Sequence, residues 1–334
     1  MAGVVYGSSH LDRRDVKGGR AILAYIVRRL LIAIPIVFAV ITITFTLGFY
    51  GPGDPLRTYY GEQYDAIDAE TVARLEHEYG LDKPYLAQYG DYLSGLAHGD
   101  FGTSILMNRP VGEAMMSALP VSMQLGIAAL FLVVLIGIPL GVITALKQNS
   151  WMDHGILFST IMLSTIPSFV LAPLLMILFI LKLGWLPTTF GWDGIFSVKA
   201  ILPVTILAIG PMVLVVRYTR YGVIEALSQE YVRTARAKGL STRQIVTRHV
   251  LPNALTPVVT ALGFSVAGLI TGSIFVEAIF GIPGFGGQVV RALTGSDYPL
   301  LLGTTMVGAL IIVITNLIVD ITYALLDPRV RLHD

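Results

Sequence analysis

Six long apolar runs are the feature that most constrains what this chain can fold into. Each run can cross a hydrocarbon core about 30 Å thick, which takes roughly 20 helical residues. Because a backbone in lipid must satisfy its own hydrogen bonds, runs of this length are expected to be helices. They lie near Leu30–Tyr50, Leu119–Leu146, Ile156–Leu183, Ala200–Tyr221, Ala254–Val276 and Leu300–Leu326. The sequence therefore predicts an all-α integral membrane protein with six transmembrane helices.

The composition supports the same class. Of the 334 residues, 54% are hydrophobic and 13% are charged, and the mean hydropathy is +0.72. Since about a quarter of the residues in a soluble domain are charged, this balance excludes an ordinary soluble protein. The first apolar run is longer than the roughly 7–15-residue core of a removable signal peptide, so we expect it to be a retained anchor. The chain has no cysteine, which excludes disulfides and thiolate metal sites.

Lysine and arginine predict the orientation of the chain. Basic residues precede the first run, lie between the second and third, crowd the connection between the fourth and fifth, and follow the last. With six spans these places all fall on one side, and cytoplasmic loops carry an excess of such residues. Both termini are therefore expected to be cytoplasmic. The residues are Arg13, Arg14, Lys17, Arg20, Arg28, Arg29, Lys147, Arg217, Arg220, Arg233, Arg236, Lys238, Arg243, Arg248, Arg329 and Arg331.

Residues 51–118, the acidic insert, are then expected on the outer side. Asp68 can cap a short helix that Gly80 ends, and a second helix is expected to begin near Pro84. The second helix carries a row of tyrosines, Tyr85, Tyr89 and Tyr92, at helical spacing. The two helices are expected to lie on the outer membrane surface or to cover the external mouth of a pathway. For any single tyrosine, simple packing over the bundle is the favoured interpretation.

A basic segment, residues 222–251, separates the fourth and fifth runs. Its apolar spacing predicts a short helix over Tyr231–Lys238, which Gly239 ends in a left-handed turn, and a second short helix from about Thr242 to His249. The arginines alone fit a loop held at an anionic membrane surface, worth about 1 kcal/mol per basic residue. The small residues Ala235 and Gly239 on a charged helix instead favour close docking of another protein.

Three residues within or beside the predicted spans are pathway or gate candidates, because ionisable residues are rare in lipid and normally have a function or a partner. Asp320 lies one turn after Asn316 in the last span, and it either pairs with Arg217 or contacts a substrate. Glu277 lies where the fifth span meets a glycine-rich turn. It either lines an external gate or caps local backbone N–H groups.

Two glycine pairs spaced four residues apart allow close helix packing. Gly137 and Gly141 lie in the second predicted span, and Gly268 and Gly272 lie in the fifth, beside the basic segment. The second pair is the candidate for a seam with another subunit. Packing within this chain is an equal alternative.

The sequence carries no recognisable catalytic or nucleotide-binding pattern. A phosphate-binding G-x-x-x-x-G-K-[ST] loop is absent, so any energy must come from another chain. His98 and His249 are expected on opposite sides of the membrane, and the carboxylates flanking His77 point away from it on a helix. We therefore predict no catalytic residue, no metal site, no enzymatic activity and no nucleic-acid partner.

Nine short strings occur in a fixed order along residues 21–332. They are RRL at 28–30, GPGDP at 51–55, GLDKPYLAQY at 80–89, HGDFGTS at 98–104, DH at 153–154, YVRTARAKGL at 231–240, TGSIFVEAIFGIPGFG at 271–286, DYP at 297–299 and VD…YALLDPRVR at 319–331. Together they closely resemble the dipeptide/oligopeptide permease family of ABC importers. The general importer motif has Glu and Ala where this chain has Arg233 and Thr234, a departure common in the peptide subfamily.

The resemblance implies a type I ABC-importer permease architecture for the permease domain at 23–334. Residues 1–22 are expected to be a cytoplasmic extension. It implies that the basic segment docks in a groove of a cytoplasmic ATPase and transmits its closure to the membrane helices. The docking residues would be Glu230, Tyr231, Arg233, Ala235, Arg236, Lys238, Gly239 and Leu240. It also implies two ATPase subunits that bind ATP and Mg, a second homologous permease, an external substrate-binding protein, and no cofactor on this chain.

The expected function is that of a permease subunit for di- or oligopeptides in the plasma (inner) membrane of a bacterium or archaeon. The chain would form half of an alternating-access pathway. Family members also move oligosaccharides and nickel, and nothing in the spans discriminates among these substrates. An ion-driven secondary transporter or channel, or a scaffold that uses the basic segment only to bind partners, are the rival functions. The small number of charges within the spans argues against the ion-driven rival.

Overall fold

The computed structural model describes the backbone of residues 12–50 and 55–326, and the positions and contacts given below concern those residues. Side chains at 12–26, 55, 58, 59, 260, 264, 267, 268, 270–272 and 320–326 lie outside the description. The longer helices are α1 (Asp12–Tyr50), α5 (Val111–Leu132), α6 (Ile138–Leu146), α7 (Trp151–Thr165), α8 (Ser168–Met176), α9 (Ile201–Leu227), α13 (Thr256–Phe280), α14 (Phe285–Thr294) and α15 (Tyr298–Leu326). The shorter ones are α2 (Pro55–Tyr60), α3 (Ala69–Glu78), α4 (Tyr85–Ala97), α10 (Glu230–Ala237), α11 (Thr242–Ile245) and α12 (Leu251–Ala254).

The described residues contain four to six candidate membrane spans, judged by length and composition. Four are single helical stretches: Val27–Tyr50, Val111–Leu146, Val198–Leu227 and Tyr298–Val319. Two more are helix pairs with a sharp bend, Trp151–Thr165 with Ser168–Lys182 at 103° and Ser273–Phe280 with Phe285–Thr294 at 79°. The mainly helical architecture with up to six spans agrees with the prediction, whereas the sides on which the termini lie stay predicted.

The third predicted span, Ile156–Leu183, is not one continuous helix. The chain breaks between α7 and α8, where Ile166 adopts an extended conformation (φ −79°, ψ 119°). Pro167 explains the break, because its ring disfavours the α conformation of the preceding residue. The apolar pattern alone does not reveal this bend, since both halves are equally hydrophobic.

The acidic insert forms the predicted helices and packs on α1. Asp68 caps α3 by accepting a hydrogen bond from the Thr71 N–H at 2.7 Å, and Gly80 follows the helix at φ +67°. α4 lies against the C-terminal part of α1. There the rings of Tyr85, Tyr89 and Tyr92 surround Phe45 at centroid distances of 5.6, 5.2 and 5.6 Å. The favoured interpretation of these tyrosines, packing over the bundle, is therefore confirmed.

A short hairpin closes the insert and is anchored to a distant part of the chain. Strands β1 (Thr103–Ser104) and β2 (Arg109–Pro110) pair antiparallel. Asp297, which is 1% exposed, accepts hydrogen bonds from the Ser104 hydroxyl at 2.6 Å and the Leu106 N–H at 3.0 Å. The same carboxylate caps α15 by accepting from the Leu300 N–H at 3.1 Å. One side chain thus joins the hairpin to the start of the last helix.

The principal apolar core lies between α5, α8, α9 and α13, with Leu125, Ile206, Val215 and Phe280 among its buried residues. The glycine pair of the second span allows α6 to approach α9 closely, as predicted. A Cβ at Gly141 would lie 2.5 Å from the Thr219 Cβ and 2.8 Å from the Val216 carbonyl oxygen. Below, the end of the bundle that carries the insert is called the insert end, and the end that carries α10–α12 is called the basic end.

Candidate functional site

The basic segment folds into short helices with well-defined ends. α10 ends at Ala237, and Gly239 adopts the predicted left-handed conformation at φ +79°. The Gly239 N–H donates to the Arg236 carbonyl at 2.9 Å and the Leu240 N–H donates to the Ala235 carbonyl at 3.3 Å. This pair of bonds is the Schellman arrangement, in which glycine is preferred because it has no Cβ.

The two faces of α10 differ sharply. Val232 and Ala235 are 0% and 6% exposed, and they pack with Leu240 on a small apolar cluster of residues from α6, α9, α11 and α12. The opposite face is exposed and carries Glu230, Tyr231, Arg233, Arg236 and Lys238.

This division separates the predicted docking residues into an inward-facing and an exposed group, and the docking set itself stays a prediction. Ala235 and Leu240 face the chain's own core, so the small size of Ala235 is explained by packing inside this chain and not by an approaching partner. The exposed residues Glu230, Tyr231, Arg233, Arg236, Lys238 and Gly239 remain available for docking. Val232 and Ala235 are three residues apart, which is the spacing of one helix face, so the local pattern agrees with the observed burial.

The second predicted helix of the basic segment is longer than expected. α11 begins after a capping box in which Ser241 accepts from the Gln244 N–H and the Gln244 side chain accepts from the Ser241 N–H. A π-helical turn over Val246–Val250 then leads directly into α12 and α13. The basic segment is therefore continuous with the span that follows it.

A largely buried ion pair beside the basic segment was not predicted. Arg220 of α9 donates from Nε to Asp153 Oδ1 at 2.9 Å and from a terminal nitrogen to Oδ2 at 2.8 Å. The side chains are 14% and 2% exposed. The aspartate of the DH string and an arginine near the end of the fourth span were the only signals in the sequence. The predicted pairing of Arg217 with Asp320 stays a prediction, because the Asp320 side chain lies outside the described residues.

Glu277 is the centre of a second buried network, at the insert end. Its carboxylate, 0% exposed, accepts from the Ser122 hydroxyl at 2.6 Å and from the Gly287 N–H at 3.2 Å. The Ser122 oxygen in turn accepts from the Phe285 N–H at 2.8 Å. These contacts cap the first turn of α14, so of the two interpretations of Glu277 the structure favours backbone capping over a residue that lines an open gate.

Two glycines allow this network to form. A Cβ at Gly284 would collide with the Glu277 carboxylate, and a Cβ at Gly286 would collide with the backbone of Ile274. The glycine-rich turn after α13 thus folds α14 back against α13 and α5. Close packing at this turn explains why glycines are clustered after the fifth span in the sequence.

The remaining candidates are placed as follows. Asn316 lies on α15 and is exposed. Gly268 and Gly272 lie in the middle of α13, where the surroundings of both residues are outside the description, so the proposed subunit seam stays a prediction.

Comparison with protein families identifies both halves of the chain. Residues 22–126 match the family described as the N-terminal part of a binding-protein-dependent transport system membrane component. Residues 137–332 match the binding-protein-dependent transport system inner membrane component.

Individual proteins give the same result. The chain is 42% identical over 310 residues to the oligopeptide transport system permease protein OppB of Escherichia coli (strain K12), covering 92% of this chain and 99% of that protein. It is 38% identical over 310 residues to the dipeptide transport system permease protein DppB of Bacillus subtilis (strain 168), covering 92% and 98%. In fold it is similar to a chain of the inward-facing MetNI methionine ABC transporter, with a TM-score of 0.53 at 18% identity over 64% of this chain and 96% of that one. The chain therefore belongs to the family of binding-protein-dependent transport system inner membrane components and is a multi-pass ABC-transporter permease of the dipeptide/oligopeptide group.

Proposed function

We propose that this chain is the permease subunit of an ATP-driven importer for di- or oligopeptides and forms half of the translocation pathway. The observation that carries the proposal is the 42% identity to an oligopeptide permease over 92% of the chain. At that level of identity over nearly the whole length, the spans that line the pathway are included in the likeness.

In this proposal the basic end faces the cytoplasm and the insert end faces outward, in the plasma (inner) membrane of a bacterium or archaeon. The exposed face of α10 docks on one of two cytoplasmic ATPase subunits, which bind ATP and Mg. A second homologous permease completes the pathway, and an external binding protein delivers the substrate. The support is that three basic residues, Arg233, Arg236 and Lys238, are exposed in and beside α10 at that end.

Purification from native membranes and reconstitution test the function. The tagged chain should co-purify with two ATPase chains and a second permease, and the complex in vesicles should take up a labelled di- or oligopeptide only with ATP and a loaded binding protein. Uptake of an oligosaccharide or nickel, and not of a peptide, under the same conditions would show that the substrate class is a different one. Uptake driven by an ion gradient without ATP would overturn the importer assignment.

Gly239 provides a test of the docking face. The replacement Gly239→Asn keeps a residue type that tolerates the left-handed conformation and adds a side chain where no described atom lies within 4 Å of the Cβ position. We expect ATP-driven uptake to fall roughly tenfold, which corresponds to about 1.4 kcal/mol, while membrane insertion is unchanged. The measurement is uptake in reconstituted vesicles beside the amount of chain inserted.

Gly99→Asn is the matched control. Gly99 has the same φ of +79° and also has no described atom within 4 Å of its Cβ position, but it lies in the acidic insert. Equal uptake by the two variants would remove Gly239 from the docking surface.

A further inference from the structure

α9 connects the bundle to the basic segment without interruption, and its last turns are held on two sides by close backbone approach. On one side, Gly141 of α6 contacts Thr219, as described above. On another, a Cβ at Gly222 would lie 2.5 Å from the Ala254 carbonyl oxygen at the end of α12. Helices this close have little freedom to slide because packed interiors do not deform continuously.

The Asp153–Arg220 pair holds α9 on a third side. Both carboxylate oxygens receive a guanidinium nitrogen, and Oδ2 also accepts from the Asn149 N–H at 3.0 Å. Asn149 lies in the α6–α7 turn at φ +61°. A bidentate arginine–carboxylate pair fixes orientation as well as distance, so this pair fixes the α6–α7 turn on α9 at one angle.

The apolar cluster extends this block into the basic segment. Ala145 of α6, Val223 and Ala226 of α9, Val232 and Ala235 of α10, and Ile245, Val250 and Ala254 beyond it pack together. Arg220 lies one turn before Val223, so the ion pair and the cluster are adjacent levels of one packed unit. α10 is thus packed against the ends of two bundle helices, α6 and α9, and is not a free loop.

We propose that Asp153 and Arg220 are positioning residues that make the basic segment and the adjoining ends of α6, α7 and α9 move as one rigid body. This inference rests on the proposed function, since the body is what an ATPase docked on α10 would displace. A push on the exposed face of α10 then reaches the bundle without being absorbed by bending at Ser228 and Gln229. Without the pair, α9 and the α6–α7 turn can separate and part of the displacement is lost.

Substitutions that break the pair should weaken the coupling of ATP hydrolysis to transport in complexes that still assemble. In complexes matched for the amount of assembled chain, Asp153→Asn should reduce the substrate transported per ATP hydrolysed by roughly 2- to 30-fold, the range in which substitutions alter coupling between sites. Arg220→Lys should give a smaller loss, because it keeps the charge but not the two parallel bonds. The matched control is Asp91→Asn, which breaks the exposed Lys83–Asp91 pair of 2.6 Å in the insert and should leave the ratio unchanged. An unchanged ratio in both Asp153→Asn and Arg220→Lys would overturn the proposal.

A distance measurement on the otherwise unaltered pair is independent of whether these variants fold. Because the chain has no cysteine, spin labels can be placed by substitution at Gln148 in the α6–α7 turn and at Ala237 at the end of α10, both exposed. We expect the 148–237 distance distribution to be the same in the nucleotide-free and ATP-trapped complexes. A reference pair, 237 with the fully exposed Phe196 at the insert end, should change between the two states.

The two proposals fail in different ways. Wild-type vesicles without ATP-driven uptake would remove the proposed function. A shift of the 148–237 distance between the two states, in a complex that does transport, would overturn the rigid body and leave the importer assignment intact.

Discussion

Replacing Glu277 by alanine is expected to prevent a stable transporter from accumulating. The substitution leaves the Ser122 hydroxyl and the Gly287 N–H without their acceptor in the protein interior, and each such group costs about 1–3 kcal/mol. The cavity left by the deleted carboxylate adds to this cost. The total is comparable with the whole stability of many proteins, about 5–15 kcal/mol. The thermal midpoint and the yield of the purified complex are the measurements.

Two further variants define the effect. Glu113→Ala removes an exposed glutamate from the first turn of α5 and should leave yield and thermal midpoint unchanged. Glu277→Gln should be intermediate, because the amide oxygen can still accept from Ser122 while its NH₂ group cannot accept from Gly287. Wild-type yield from Glu277→Ala would show that the network around α14 contributes little to stability.

Replacing Gly222 by alanine is expected to be the most damaging single-methyl change in α9. The added Cβ would lie 2.5 Å from the Ala254 carbonyl oxygen and 3.2 Å from the Ala254 Cα, both of them backbone atoms. Because neither can move aside as a flexible side chain can, α9 and α12 must separate, at a cost of about 1–3 kcal/mol or more. The expected result is a lower thermal midpoint of the complex together with reduced coupling.

Gly210 provides the control within the same helix. It is exposed, and no described atom lies within 4 Å of its Cβ position. Alanine is a better helix former than glycine by roughly 1 kcal/mol, so Gly210→Ala should keep or raise the thermal midpoint. Equal thermal midpoints of Gly222→Ala and Gly210→Ala would mean that the contact between Gly222 and Ala254 does not limit packing.

The sequence allowed the class of fold to be predicted because the lipid solvent requires long apolar helices. Local signals also predicted several helix ends correctly, since Asp68, Gly80 and Gly239 act through bonds and backbone angles within a few residues. The interior contacts could not be predicted in the same way. The Asp153–Arg220 pair joins residues 67 positions apart, and Ser122 and Glu277 are 155 apart.

The exposure of the candidate docking residues was predicted only in part. The docking set on α10 stays a prediction, and within it Ala235 and Leu240 face inward because the cluster beneath α10 is built from α6, α9, α11 and α12. The spacing of Val232 and Ala235 marks the apolar side of α10, but the residues that cover this side come from other parts of the chain. The bend at Pro167 was also not predicted, because a hydropathy profile shows the length and polarity of a segment but not the direction in which the chain runs.

The link between Ser104 and Asp297 has a consequence for how the chain is made. These two residues are 193 positions apart, and ribosomes add about 5–20 residues per second. The hairpin at 103–110 therefore emerges on the order of 10–40 seconds before the carboxylate that anchors it exists. During that interval the hairpin lacks the hydrogen bonds to Asp297 that hold it in place. The newly made chain should therefore be most sensitive to proteases at this loop, and that sensitivity should end when synthesis passes Asp297.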